Sequence, residues 1–132
     1  MNILITGIHG FVGSNLVVAL KERHGLYGLD IVTPEKDGVI KTFSWDDLDK
    51  EMPEFDAVIH LAAQIEVASS ERDPLRDASL NIGGTLAVLE GARKAHVSRF
   101  VFASSAAVYG HPSEALLPLA EERLYVRCLL MD

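Results

Sequence analysis

"NILITGIHGFVGSNL", Asn2 to Leu16, decides the fold. Its first five residues, Asn2 to Thr6, form a short continuous apolar run, the pattern of a parallel strand buried on both faces. Gly7 ends that run, and glycine recurs at Gly10 and Gly13. Val12, Leu16, Ala19, Leu20 and Arg23 then follow at helical spacing, which predicts a helix with one apolar face and an exposed end. Strand, glycine loop and helix come in that order.

The pattern repeats along the chain. "GLYGLD", Gly25 to Asp30, reads as a second strand, and "VIKTF", Val39 to Phe43, as a weaker third, followed by a charged helical turn around Asp46 to Lys50. "DAVIHLAA", Asp56 to Ala63, is a strong buried strand. Asp73-Pro74 pairs a capping carboxylate with proline at the first helical position. From there Leu75, Ala78, Ile82, Leu86 and Leu89 make one apolar stripe. "RFVFAS", Arg99 to Ser104, is the last clear strand. Strands alternating with helices predict an α/β, doubly wound parallel sheet with right-handed crossovers. The expected strand order is 3-2-1-4-5.

The glycines at 7, 10 and 13 sit between a strand and a helix, and Asp30 ends the next strand. That context, and not the glycines alone, makes the pattern a dinucleotide fingerprint. Gly7 allows the sharp turn, Gly10 lets backbone approach a pyrophosphate, and Gly13 permits close packing of the helix. The helix N-terminus at Phe11 and Val12 offers free N–H groups and a positive dipole. Asp30 would accept hydrogen bonds from the ribose hydroxyls and repel a 2′-phosphate, so NAD is expected over NADP.

Composition narrows the class. With 132 residues, 48% of them hydrophobic and 23% charged, the chain is expected to form one globular domain with a real core. A net charge of −7 argues against nucleic acid and anionic membranes as partners. The single cysteine, Cys128, excludes a disulfide framework. With no signal-like segment at the start, a cytoplasmic location is expected. His60 ends a strand without metal-ligand spacing and reads as a satisfied structural histidine. Asp46, Asp47 and Asp49 read as a solvated face, and no metal site is expected.

Together these residues resemble the extended short-chain dehydrogenases, the NAD-dependent sugar-nucleotide epimerase/dehydratase family typified by UDP-glucose 4-epimerase. "TGIHGFVGSNL" looks like the family's opening fingerprint. "HLAAQ", His60 to Gln64, resembles the motif whose small residues, here Leu61, Ala62 and Ala63, lie along the cofactor. "NIGGTLAVLEGAR", Asn81 to Arg93, is similar to the N-x-x-G-T helix, with Asn81 in the place of the asparagine that braces the central strands. "FASSAAVYG", Phe102 to Gly110, resembles the segment carrying the catalytic hydroxyl, and "LPLAEE", Leu117 to Glu122, the loop before the catalytic tyrosine. The third strand departs from the pattern: Ser44-Trp45 stands near the usual Asp-apolar pair.

The resemblance implies that Ser105 hydrogen-bonds the reacting sugar oxygen and that Ser104 lines the cofactor cleft. The family's base is the tyrosine of Y-x-x-x-K, whose lysine lowers a phenol pKa that is otherwise near 10. Here Tyr125 is followed by Leu129, and Tyr125 is read as incidental. The expected organisation is an incomplete NAD-binding domain over 1–123 and a tail over 124–132, "LYVRCLLMD", without family match. That tail reads as an out-of-frame ending, with a natural short ending as the alternative. The substrate domain would be absent and the chain inactive alone, a nucleotide sugar being the partner of the full-length family. The alternative is an NAD-binding or partner-binding module without catalysis. The helix expected to cover the Leu75–Leu89 stripe would be missing too, so a homodimer or larger self-assembly is expected.

Overall fold

In the computed structural model, which describes residues 1–47, 54–110 and 118–119, the opening run is strand β1, Asn2–Thr6, buried at all positions but the first. The glycine loop leads into α1, Phe11–Leu20. Strands β2, Gly25–Leu29, and β3, Lys41–Phe43, follow, then a 3-10 turn at Trp45–Asp47 and strand β4, Ala57–His60. After the short helix α2, Val67–Arg72, come α3, Pro74–Ala78, a π-helical turn at Ser79–Gly83, and α4, Gly84–Lys94. Strand β5 is Arg99–Phe102. The chain divides into two compact units, Met1–Phe102 and Ala103–Asp132. In the second, a 3-10 turn spans Ala106–Tyr109. Lys50, Asp49, Tyr125 and the tail lie outside the described residues.

The five strands are parallel and ordered β3-β2-β1-β4-β5, as expected. Alternate residues of β1 feed two cores. Ile3 and Ile5 pack with Ile8, Val17 and Leu26 on the α1 side, whereas Leu4 packs with Leu29, Phe43, Val58 and Val88 on the α4 side. A strand apolar on both faces thus becomes the centre of a sheet covered on both faces. Asp73 accepts the N–H of Arg76 at 3.0 Å, the cap that Asp73-Pro74 predicts.

The buried face of α1 differs from the expected one. In α1 the buried residues are Gly13 and Val17, with Leu16 and Leu20 packed beside them, while Val12 is 54% exposed. The close seat of Gly13 fixes that rotation. In the second helical region the α3, π and α4 segments run on continuously, and the inward face carries Asn81, Thr85, Val88 and Ala92. The stripe faces outward: Leu75, Ile82, Leu86 and Leu89 are 84%, 63%, 60% and 41% exposed. Leu75 precedes the π turn, Ile82 lies in it, and Leu86 and Leu89 follow it, so the stripe keeps one outward face and stands uncovered, as expected. Val88 and Ala92, expected to lack cover with it, pack inward instead. Just after the π turn, the Thr85 hydroxyl donates to the Asn81 carbonyl at 2.6 Å, competing for the acceptor an α-helix would give to the Thr85 N–H.

Candidate functional site

The strand order reverses between β1 and β4, so a crevice opens at their carboxyl ends, where open α/β sheets bind ligands. Two backbone turns form its walls. The first is the glycine loop. Gly7 has φ +68°, and a Cβ there would lie 3.1 Å from the backbone N and Cα of Ala62 on the second wall. Gly10 is the N-cap of α1 and provides no side-chain cap. The N–H groups of Phe11, Val12 and Gly13, which a helix leaves without internal partners, are therefore open to an anion. A Cβ on Gly10 would meet only the Gly7 carbonyl, at 3.2 Å, so the absent side chain leaves a cradle at the loop's mouth. A Cβ on Gly13 would lie 2.4 Å from the Gly7 carbonyl oxygen and 2.8 Å from Ile8 Cα, so the glycine seats the helix against the loop.

Asp30 stands at the end of β2 and is 8% exposed. Its carboxylate accepts the His9 N–H at 3.0 Å and the Ile31 N–H at 2.7 Å. One oxygen takes each bond, which leaves lone pairs on both for further donors. Asp30 thus holds the glycine loop in place, a part that sequence reasoning did not assign to it.

The second wall, Leu61 to Gln64, is fixed by a hydrogen-bond chain that starts on β1. The Thr6 hydroxyl oxygen accepts the N–H groups of Leu61 (3.1 Å) and Ala62 (3.0 Å). With both acceptor sites used, its proton goes to His60 Nδ1, 2.7 Å away. The ring is therefore the neutral tautomer protonated on Nε2, which donates to the Thr85 hydroxyl at 3.0 Å. Burial lowers the His60 pKa below its ordinary value, consistent with the neutral ring. Phe102 stacks on it with ring centroids 5.8 Å apart. His60 is thus a satisfied structural histidine, as its sequence context suggests. Asn81 acts one step further out than expected. It clamps the loop after β4, accepting the Gln64 N–H at 2.7 Å and donating to the Gln64 carbonyl at 3.0 Å.

Ser104 and Ser105 belong to the second unit. The Ser105 hydroxyl oxygen accepts the Ala107 N–H at 3.1 Å and caps the 3-10 turn. Of two further groups near the glycine loop, Lys36 escaped the sequence reading, whereas His9 is expected from it to face solvent or phosphate. Lys36 donates to the Ile8 carbonyl and the Ser14 hydroxyl, and the His9 ring buries Nε2 without a hydrogen-bond partner. Neither lies in a recognisable spacing. Among the described residues no cluster of potential metal ligands occurs, and no helix is long and apolar enough to cross a membrane.

Comparison with known proteins follows the same residues. The model of the NAD dependent epimerase/dehydratase family matches residues 3–128. GDP-6-deoxy-D-mannose reductase of Pseudomonas aeruginosa is 39% identical over 121 residues, covering 91% of this chain and 39% of the relative. UDP-glucose 4-epimerase of Mycolicibacterium smegmatis is 39% identical over 129 residues, covering 85% and 41%. UDP-glucose-4-epimerase from Stenotrophomonas maltophila, solved with bound NAD and formylated UDP-arabinopyranose, has a TM-score of 0.77 to this chain. That likeness comes at 30% identity and covers 96% of this chain and 43% of the solved one. The chain thus spans about two fifths of the length of the relatives it matches.

Proposed function

The chain belongs to the NAD dependent epimerase/dehydratase family, and we propose that it is the amino-terminal, NAD-binding portion of a nucleotide-sugar epimerase or dehydratase. The observation that carries this reading is the uncapped start of α1, opening beside Asp30 at the point where the strand order reverses. The N–H groups of Phe11, Val12 and Gly13 would hold the pyrophosphate, and Asp30 the adenosine ribose. Leu61, Ala62 and Ala63 would line the path of the dinucleotide. NAD would supply hydride exchange with a sugar carbon.

Ser105 is the residue proposed to touch the sugar. Its oxygen accepts a backbone N–H and keeps its own proton to donate to a substrate oxygen. None of the tyrosines at 27, 109 and 125 is followed four residues on by lysine. These 132 residues therefore bind the cofactor without a base of the family's kind, and by themselves are catalytically silent.

Cofactor selectivity tests the reading. Titration of the purified chain should give tighter binding of NAD than of NADP, because a 2′-phosphate would bring negative charge against the Asp30 carboxylate. Asp30→Ala should narrow that preference by about tenfold, a difference of about 1.4 kcal/mol. Tighter binding of NADP by the unaltered chain would overturn the assignment of Asp30.

Self-association belongs to the same proposal. Ile82, Leu86 and Leu89 form an outward apolar ridge on the α4 side, and the edge strand β5 exposes Val101 and Phe102. Covering each such side chain is worth roughly 1.5–3 kcal/mol, and a second copy of the chain offers the same ridge. Sedimentation at micromolar concentration should show a dimer or larger species, weakened by Leu86→Lys. A monomer with cooperative unfolding would rule this out.

A further inference from the structure

The segment 31–38 after β2 is exposed at every position except Lys36, which turns inward onto the glycine loop. Its ammonium donates to the Ile8 carbonyl at 3.1 Å and to the Ser14 hydroxyl at 2.7 Å. One acceptor lies at the start of the loop and the other in the first turn of α1, so a single side chain spans the phosphate-binding turn. Ser14 reaches back toward the His9 carbonyl at 3.5 Å, and the His9 N–H is held by Asp30. Lys36 and Asp30 therefore grip one loop from two directions.

Both acceptors of Lys36 are neutral, and an ammonium has three donors. Lys21 pairs with Asp37, and Arg93 and Lys94 with Glu90; Arg23, Arg72 and Arg99 contact neutral groups as Lys36 does, but at exposed positions away from the glycine loop. Among the described residues no carboxylate forms an ion pair with Lys36, so its charge stands uncompensated at a part-buried position in a chain of net charge −7. Such a charge carries a desolvation cost that an incoming anion offsets. The glycine fingerprint itself contains no cationic side chain apart from what His9 could offer, and a helix N-terminus amounts to only about half a positive charge. A diphosphate brings more negative charge than that.

We propose that Lys36 is a binding residue of the dinucleotide site, stapling the glycine loop and supplying the positive charge that complements the diphosphate. This rests on the NAD-binding reading above and extends it to a residue outside the family's motifs. The charge contribution separates it from a purely structural staple, because it acts on phosphate-bearing ligands and is screened by salt.

The test is an NMR titration of the full chain with NAD, ADP and adenosine, at low and high salt. Lys36→Met is expected to weaken NAD and ADP about tenfold, to leave adenosine unchanged, and to flatten the salt dependence. Lys36→Arg should restore most of the affinity. Lys94→Met, which makes the same charge change at the end of α4, should match the unaltered chain and exclude a general effect of net charge. The proposal is overturned if Lys36→Met binds NAD as the unaltered chain does, or if NAD, ADP and adenosine weaken equally. Failure of the unaltered chain to bind NAD or ADP would instead sink the NAD-binding reading, and Lys36 with it.

Discussion

Gly13→Ala is expected to cost about 3 kcal/mol or more and to abolish measurable NAD binding. The added Cβ would meet the Gly7 carbonyl oxygen at 2.4 Å, Ile8 Cα at 2.8 Å and the Ile8 carbonyl carbon at 2.9 Å. All three are backbone atoms, so no side chain can swing aside. Relief requires α1 to move off the loop. Overpacking typically costs about 1–3 kcal/mol, and rigid neighbours on more than one side put this site at or above the upper end. Against a usual stability of about 5–15 kcal/mol the loss is severe. The same displacement would shift the N–H groups of Phe11, Val12 and Gly13 that the proposed cofactor needs.

Gly84→Ala is the control. Its Cβ would find only the Trp45 ring, at 3.7 Å or more, and alanine favours a helix by about 1 kcal/mol over glycine. Urea unfolding should show a lower midpoint for Gly13→Ala and an equal or higher one for Gly84→Ala. Equal midpoints for Gly13→Ala and the unaltered chain would mean that the loop yields more easily than its geometry implies.

The contrast between these glycines shows what the sequence could convey. The strand, loop and helix of Asn2 to Leu20 were legible because each carries a local signal: a short apolar run, spaced glycines, a helical period. The strand order followed from the alternation of elements, and the Asp73 cap from one dipeptide. Helix faces were less legible. The stripe from Leu75 to Leu89 stands uncovered, as expected, but the face of that helix that packs inward carried no apolar period of its own. Val88, outside that stripe, is the residue that reaches the core. In α1 the seat of Gly13 buried Val17 and turned Val12 outward.

The candidate site divides along the same line. Its glycines and Asp30 lie in one motif, whereas Lys36 reaches the loop across 28 residues of sequence and Thr6 reaches His60 across 54. No spacing rule links such pairs; only the folded sheet brings them together. His60 could be read as satisfied without any indication of what satisfied it.

His60 should make stability fall as the pH is lowered. Thr6 donates to Nδ1 and Nε2 donates to Thr85, so a second ring proton would have to displace the Thr6 hydroxyl. Burial also disfavours the charge, and the folded-state pKa lies below the ordinary 6.5. Above about pH 6.5 the ring is neutral in both folded and unfolded chains, and the contribution is fully present. Below it the unfolded chain takes up a proton that the folded chain refuses, so stability drops toward the folded-state pKa. The slope from this group approaches about 1.4 kcal/mol per pH unit. Because the other histidines titrate as well, the difference between the unaltered chain and His60→Gln carries the signal. Urea midpoints from pH 8 to pH 5 should converge as the pH falls, and an unchanged gap would refute the assignment. His60→Ala should be the harsher substitution, at about 3 kcal/mol, since it leaves a cavity and strips a partner from the hydroxyls of both Thr6 and Thr85. The Thr6 oxygen holds the N–H groups of Leu61 and Ala62 against Gly7. Loosening that wall should weaken NAD binding in step with stability, which makes the affinity of His60→Ala for NAD a readout of how far the buried chain positions the crevice.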